Sequence, residues 1–272
     1  MGAVGEERLL LALRVRGVSI TATPALGRAR GVVIVGLFGF AVAAWMYLGL
    51  VATQMGDMSS APAMPMTSAW SSGQVTLIAL MWAVMTAAMM LPSAVPMVLT
   101  YDRMDRGSTN ARDGSTALFV VGYVVIWSLF ALVGTALQWV LHDLALLNGM
   151  GALTQNGLAG LFLIGAGIFQ FSPVKRRSLG ACRTPIGFLL TSWRDGGVGA
   201  LRMGLHHGTL CVRCCWALML LLFILGVMNL LWVAVLALFV LAEKVSRRGE
   251  VVSQVGGVVM IVWGIGVVLG VG

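Results

Sequence analysis

Long stretches without a charged side chain restrict the fold of this sequence more than any other feature. One of them, Gly31–Thr53, runs for 23 residues, and another, Cys214–Ala242, runs for 29. About 20 apolar residues form a helix that crosses the hydrocarbon core of a bilayer. Charged residues make up only 10% of the 272-residue chain, whereas soluble domains carry roughly 25%. The sequence therefore predicts an all-α fold, a polytopic bundle of transmembrane helices.

Seven apolar segments are predicted to span the membrane, and six spans are the alternative. The segments are Gly31–Thr53, Val75–Tyr101, Ser115–Leu141, Gly157–Phe171, the two halves of a region from about 204 to 242, and Ser253–Gly272. The two counts differ in whether residues 204–242 form one helix or two. Gly226-Val227-Met228-Asn229 has the composition of a turn, and we expect it to divide the region.

The basic residues predict the orientation. Cytoplasmic loops of membrane proteins are enriched in Lys and Arg. With a cytoplasmic N-terminus and seven spans, all 18 Lys and Arg residues fall inside or at the inner interface. We therefore expect a basic cytoplasmic segment at residues 1–30, followed by a transmembrane domain at 31–272. The expected location is the bacterial inner membrane.

Soft metal ligands are concentrated between His206 and Trp216. Three of the four cysteines and two of the three histidines fall within ten residues of this segment. Helical spacing places His206 on a different face from the other candidate ligands of this helix. The side chains that share one face are Met203, His207, Cys211, Cys214, Cys215 and Met219. Thiolate, thioether and imidazole together favour Cu(I), with zinc as the alternative. Apolar packing of the cysteines and thiol redox chemistry are the competing interpretations.

Methionines form a second group of candidate ligands. Met81, Met85 and Met89 repeat every four residues, and Met90 follows directly. Pro92 and Pro96 remove backbone donors, so we expect a loosened helix with free carbonyls. Met85, Met89 and Met90 are candidates for a thioether relay. A weak capture site is expected in the preceding loop, at Met55, Met58, Met64 and Met66.

Four charged or reactive residues complete the set of residues considered near these groups. Glu243-Lys244 closes an apolar run, so Lys244 could extend to the lipid headgroups, or Glu243 could serve the cysteine-rich face as a functional carboxylate. Arg213 is expected to stabilise the adjacent thiolates. Cys182 has no partner nearby in the sequence and is interpreted as incidental.

The combination of Met89-Met90-Leu91-Pro92 with Cys211, Cys214-Cys215-Trp216 and Glu243-Lys244 resembles a bacterial family of unknown function, known as predicted metal-binding integral membrane proteins. The resemblance covers roughly residues 75–270. It implies a membrane fold and metal binding. The family's marked positions fall on Met89, Met90, Pro92, Cys211, Cys214, Cys215, Met228, Asn229 and Glu243.

Three functional hypotheses follow. The first is a membrane protein without enzymatic activity that binds or passes Cu(I). The second is an accessory or assembly subunit of a larger membrane copper enzyme. The third is a membrane thiol–disulfide oxidoreductase that uses Cys211 and Cys214. The expected partners are the lipid bilayer, a metal ion and, under the second hypothesis, enzyme subunits, but no nucleic acid.

Overall fold

The computed structural model describes residues 35–36, 39, 41–50, 72–107, 114–148 and 152–270. Its helices in chain order are α1 (Ala41–Leu50), α2 (Ser72–Arg106), α3 (Ser115–Asp143), α4 (Asn156–Gln170), α5 (Pro173–Arg183), α6 (Pro185–Ser192), α7 (Gly196–Leu220), α8 (Leu222–Leu225), α9 (Leu230–Val245) and α10 (Gly249–Val268). Within these residues the only β pairing is an isolated antiparallel bridge between Leu147 and Leu153. The predicted all-α fold is confirmed. The predicted basic segment at 1–30 and the methionine-rich loop lie outside the described residues.

Among the described residues, four helices are long and apolar enough to cross a membrane: α2, α3, α7 continued by α8, and α10. Helices α4 and α5 would together supply a fifth, but they meet at an angle of 61°. Helix α9 has 16 residues, which span only about 24 Å of a hydrocarbon core that is about 30 Å thick. The predicted first span, Gly31–Thr53, lies partly outside the described residues. Seven spans are not confirmed.

The predicted turn at residues 226–229 is confirmed. Helix α8 ends at Leu225, and α9 begins at Leu230 after Asn229. Gly226 has a φ of +93°, a conformation that glycine adopts without the steric cost that a side chain would add. The region from 204 to 242 therefore forms separate helices, which brings the end of α9 back beside the middle of α7.

Close contact between α3 and α7 positions the cysteine-rich face. A Cβ atom on Gly204 would collide with the backbone oxygen of Phe119, and one on Gly122 would collide with the oxygen of Leu201. The two backbones can approach this closely only because glycines stand at the contact. As a result Tyr123, next to Gly122, faces the cysteines of α7.

Helices α4 and α10 pack closely in a similar manner. Gly160 lies against the Gly264 backbone, and Gly167 lies against that of Gly257. Gly266 of α10 takes no part in this contact, because a Cβ built on it would meet open space. The pairing instead uses Gly257 and Gly264, because these are the positions of α10 that face α4.

Candidate metal centre

Cysteines of α7 meet a methionine of α2 in the buried centre of the bundle. Cys211, Cys214 and Cys215 are each only 1% exposed, and Met90 is fully buried. The Sγ atom of Cys215 lies 3.9 Å from Sδ of Met90. The two clusters of soft ligands that the sequence predicted separately are thus joined at this contact.

Lys244 of α9 reaches into the same centre. Its Nζ donates hydrogen bonds to Cys211 Sγ at 2.8 Å and to Ser93 Oγ at 3.0 Å, and it lies 3.9 Å from Met90 Sδ. The interpretation of Lys244 as a side chain that extends to the headgroups is therefore wrong. The break before α9 turns this residue inward, towards α2 and α7.

Arg213 does not provide the positive charge that the sequence assigned to it. Its side chain is exposed, since position 213 lies on the opposite side of α7 from Cys211. Lys244 supplies the cation instead. Sequence reasoning missed it because Lys244 is 33 residues from Cys211 and belongs to another helix.

Tyr123 of α3 contacts the centre from a third side. Its hydroxyl lies 3.1 Å from Cys211 Sγ and donates a hydrogen bond to the Met90 backbone oxygen at 3.2 Å. The side chain is buried. Tyr123 therefore holds α2 and α7 in register at the position where their sulfur atoms meet.

The remaining thiols have local partners. Cys214 and Cys215 both donate to the Cys211 backbone oxygen, at 3.0 and 2.8 Å. A thiol is a weak donor, so a stronger interaction could replace either of these bonds. The cluster also includes Cys182 of α5, which packs against the hydrophobic core that contains Cys211 and Cys214. The interpretation of Cys182 as incidental is not supported, because the packing of α5 onto α7 brings a fourth thiol to this core.

Glu243 does not join the cysteines. Its two carboxylate oxygens each lie 2.9 Å from Nζ of Lys175, and both side chains are buried. The hypothesis that Glu243 serves the cysteine-rich face is therefore not supported by any described contact. It forms a buried ion pair that joins α5 to α9 and leaves the charge of Lys244 for the sulfur cluster.

His207 is buried with a free ring nitrogen. Its ring stacks on Tyr123 and Phe119, with centroids 5.4 and 6.1 Å apart. Among the described residues, its Nδ1 has no hydrogen-bond partner. His206 is exposed, as the helical spacing predicts. A buried nitrogen without a partner is costly, so this atom is available for a ligand.

The other predicted ligands are buried nearby. Met85, Met89 and Met219 belong to the same hydrophobic core as the cysteines. The sulfur–sulfur contact that the structure describes, however, joins Cys215 to Met90. Within the described part of the chain, no three His, Cys, Asp or Glu side chains already stand in metal-binding geometry. Hydrogen bonds to Lys244 and to the Cys211 backbone occupy the thiols instead.

A comparison with known protein families shows which family the chain belongs to. Residues 79–267 match the family model PpoB2, described as a copper chaperone. The chain belongs to this copper chaperone family. The matched residues of the chain include all four cysteines, Met90 and Lys244. The match supports a role connected with copper, in agreement with the metal that soft ligands predict.

No curated protein and no solved structure matches the chain.

Proposed function

We propose that this copper chaperone is an integral membrane protein that holds Cu(I) in a buried centre of Cys211, Cys214, Cys215 and Met90. The observation that carries the proposal is the contact of Cys215 Sγ with Met90 Sδ, 3.9 Å apart, between α2 and α7. Thiolate and thioether donors select Cu(I) over harder cations. Small movements of these side chains would bring them onto one ion.

The charges around the centre favour a copper(I) thiolate. One Cu(I) ion held by two thiolates has a net charge of minus one. Lys244, whose nitrogen is 2.8 Å from Cys211 Sγ, carries plus one and offsets it. A charge in a buried site is costly unless it has a partner. Glu243 makes no described hydrogen bond to Lys244, since both of its oxygens bond to Lys175.

Cys182 and His207 are further donors within the proposal. Cys182 packs against the core that contains Cys211 and Cys214, so it is a candidate to replace either of them during transfer of the ion. His207 offers a nitrogen one helical turn before Cys211. Zinc remains the alternative metal, because cysteine and histidine also bind it.

The membrane setting follows from the apolar helices. Four or five of them are long enough to span a bilayer, and we propose the bacterial inner membrane as the location. The protein would bind copper without turnover. The accessory-subunit hypothesis is one form of this function, in which the copper is held for a membrane copper enzyme, and co-purification with that enzyme would support it.

The test is the metal content of the protein purified anaerobically in mild detergent after growth with copper. A triple variant, Cys211→Ser, Cys214→Ser and Cys215→Ser, is purified in parallel. We expect near-stoichiometric copper in the wild type and its loss in the variant. Absence of copper from both proteins would overturn the proposal, and zinc in place of copper would correct the metal.

One observation keeps thiol redox chemistry as a second candidate. Cys182 of α5 packs against the core that holds Cys211 and Cys214 of α7, so a disulfide could join two helices. Such a function requires the pair to cycle between thiol and disulfide. Acid trapping of thiols in growing cells would find part of the protein oxidised, and fully reduced cysteines under all growth conditions would exclude this candidate.

A further inference from the structure

A cavity opens beside the first turns of α7. It has a volume of about 490 Å³ and is lined by Thr191, Ser192, Arg194, Arg202, Met203 and His206. The side chains of Arg194, Arg202 and His206 are exposed, whereas Met203 is 1% exposed. The cavity therefore has a cationic rim and a thioether at its base.

A series of metal donors leads from this cavity to the cysteines. Met203, His207 and Cys211 follow one another every four residues on the same face of α7. Four residues of helix rise about 6 Å, so the donors stand at regular, short steps. The Nδ1 atom of His207 has no hydrogen-bond partner among the described residues, although the ring is buried.

The charge of the rim indicates the form in which copper arrives. In the described structure the lining contains two guanidinium groups and no carboxylate. Asp195, the nearest acid in sequence, accepts a hydrogen bond from Trp193. A free copper cation would be repelled by this rim. A Cu(I) ion held by two thiolates is an anion, and a cationic rim raises its local concentration and its association rate.

We propose that this cavity is the loading port of the chaperone, where Cu(I) arrives as an anionic complex with small thiols and passes over Met203 and His207 to Cys211. The inference rests on the proposed function. Each step is a ligand exchange, in which one bond from copper to the next donor forms and one bond to an earlier ligand breaks. The earlier ligand is a carrier thiolate on entry and Met203 or His207 as the ion moves on. Copper stays Cu(I), the carrier leaves with its thiolate electron pair, and that thiolate or the solvent takes up the proton that a protein thiol releases.

The experiment measures how fast the full-length protein in zwitterionic nanodiscs takes copper from two small-thiol carriers whose complexes have opposite charges. One is Cu(I) with 2-mercaptoethanesulfonate, an anionic complex, and the other is Cu(I) with cysteamine, a cationic one. We expect faster loading from the anionic carrier. The variant Arg194→Gln/Arg202→Gln should slow that loading about tenfold or more and remove the preference, while the final copper content is unchanged.

Two further variants separate the port from other causes. Arg176→Gln/Arg177→Gln removes the same charge from exposed positions on α5 and should load like the wild type. Met203→Leu should slow loading from both carriers. Wild-type rates in the Arg194/Arg202 variant, or an equal loss in the Arg176/Arg177 control, would overturn the port. Failure of the wild type to bind copper at equilibrium would instead overturn the proposed function.

Discussion

The ammonium nitrogen of Lys244 lies 2.8 Å from the sulfur of Cys211 in the buried interior of the helix bundle. The same nitrogen also contacts Ser93 and Met90. A fixed cation thus stands among soft sulfur donors contributed by α2 and α7. Because Glu243 is paired with Lys175, the Lys244 charge is directed at the sulfur atoms, where a copper thiolate would balance it.

Removal of the Lys244 charge should weaken copper binding. In the variant Lys244→Met, the negative charge of a copper thiolate would have no buried partner. We expect the Cu(I) dissociation constant to rise about tenfold or more, equivalent to about 1.4 kcal/mol. Competition with a chromophoric Cu(I) chelator measures it. The control is Arg213→Met, which removes an exposed charge on α7, the helix of the cysteines; equal weakening in both variants would contradict the role of Lys244.

Loss of the Tyr123 hydroxyl should affect both stability and copper binding. Tyr123→Phe removes the hydrogen bond to the Met90 carbonyl and the contact with Cys211. A net hydrogen bond contributes about 1 kcal/mol, so the Tm in detergent should fall by about 2–4 °C. Copper affinity should fall as well. Tyr101→Phe, whose hydroxyl contacts Asp105 instead, should leave the affinity unchanged, and a matching loss there would argue against a local effect.

The pair Lys175–Glu243 should act as a structural element and not as part of the metal site. Lys175→Met leaves a buried carboxylate alone, which typically costs about 3–5 kcal/mol. The double variant Lys175→Met/Glu243→Leu should regain most of that loss, because both charges are gone. Thermal unfolding measures the stability, and copper analysis of the double variant should give the wild-type stoichiometry. A copper-free double variant that folds normally would restore Glu243 as a ligand.

A methyl group between α3 and α7 should destabilise the bundle. Gly204→Ala places a Cβ against the Phe119 backbone oxygen, and such overpacking costs about 1–3 kcal/mol. Gly165→Ala is the matched change, because this helical glycine faces open space and alanine is the better helix former. A lower Tm for Gly204→Ala alone is the expected result. Unchanged stability of that variant would show that the two helices pack less closely than described.

Local pattern was sufficient to predict the part of the site that lies on one helix. The spacing of His207, Cys211 and Cys215 places them on one face of the helix independently of the tertiary fold, because helical geometry is local. The turn at Gly226 was also predictable, since its residue types favour a break. The buried methionines of α2 were recognised as candidates, although only Met90 makes the described contact with a cysteine.

The partners from other helices could not be predicted in this way. Lys244 and Tyr123 reach Cys211 only through the packing of α9 and α3 around α7. Cys182 joins the same core through the packing of α5. A lysine at the end of an apolar run commonly extends towards headgroups, so the local pattern favoured the wrong direction. Seven spans are not confirmed for a related reason: apolar composition does not distinguish a short buried helix from a crossing one.

X-ray absorption at the copper edge of the Cu(I)-loaded protein tests the central claim most directly. The account predicts an edge typical of Cu(I) and a first shell of sulfur atoms, with one fewer sulfur when Met90→Leu is loaded in the same way. A first shell of nitrogen or oxygen atoms, or a sulfur shell unchanged by loss of Cys211, Cys214 and Cys215, would contradict it.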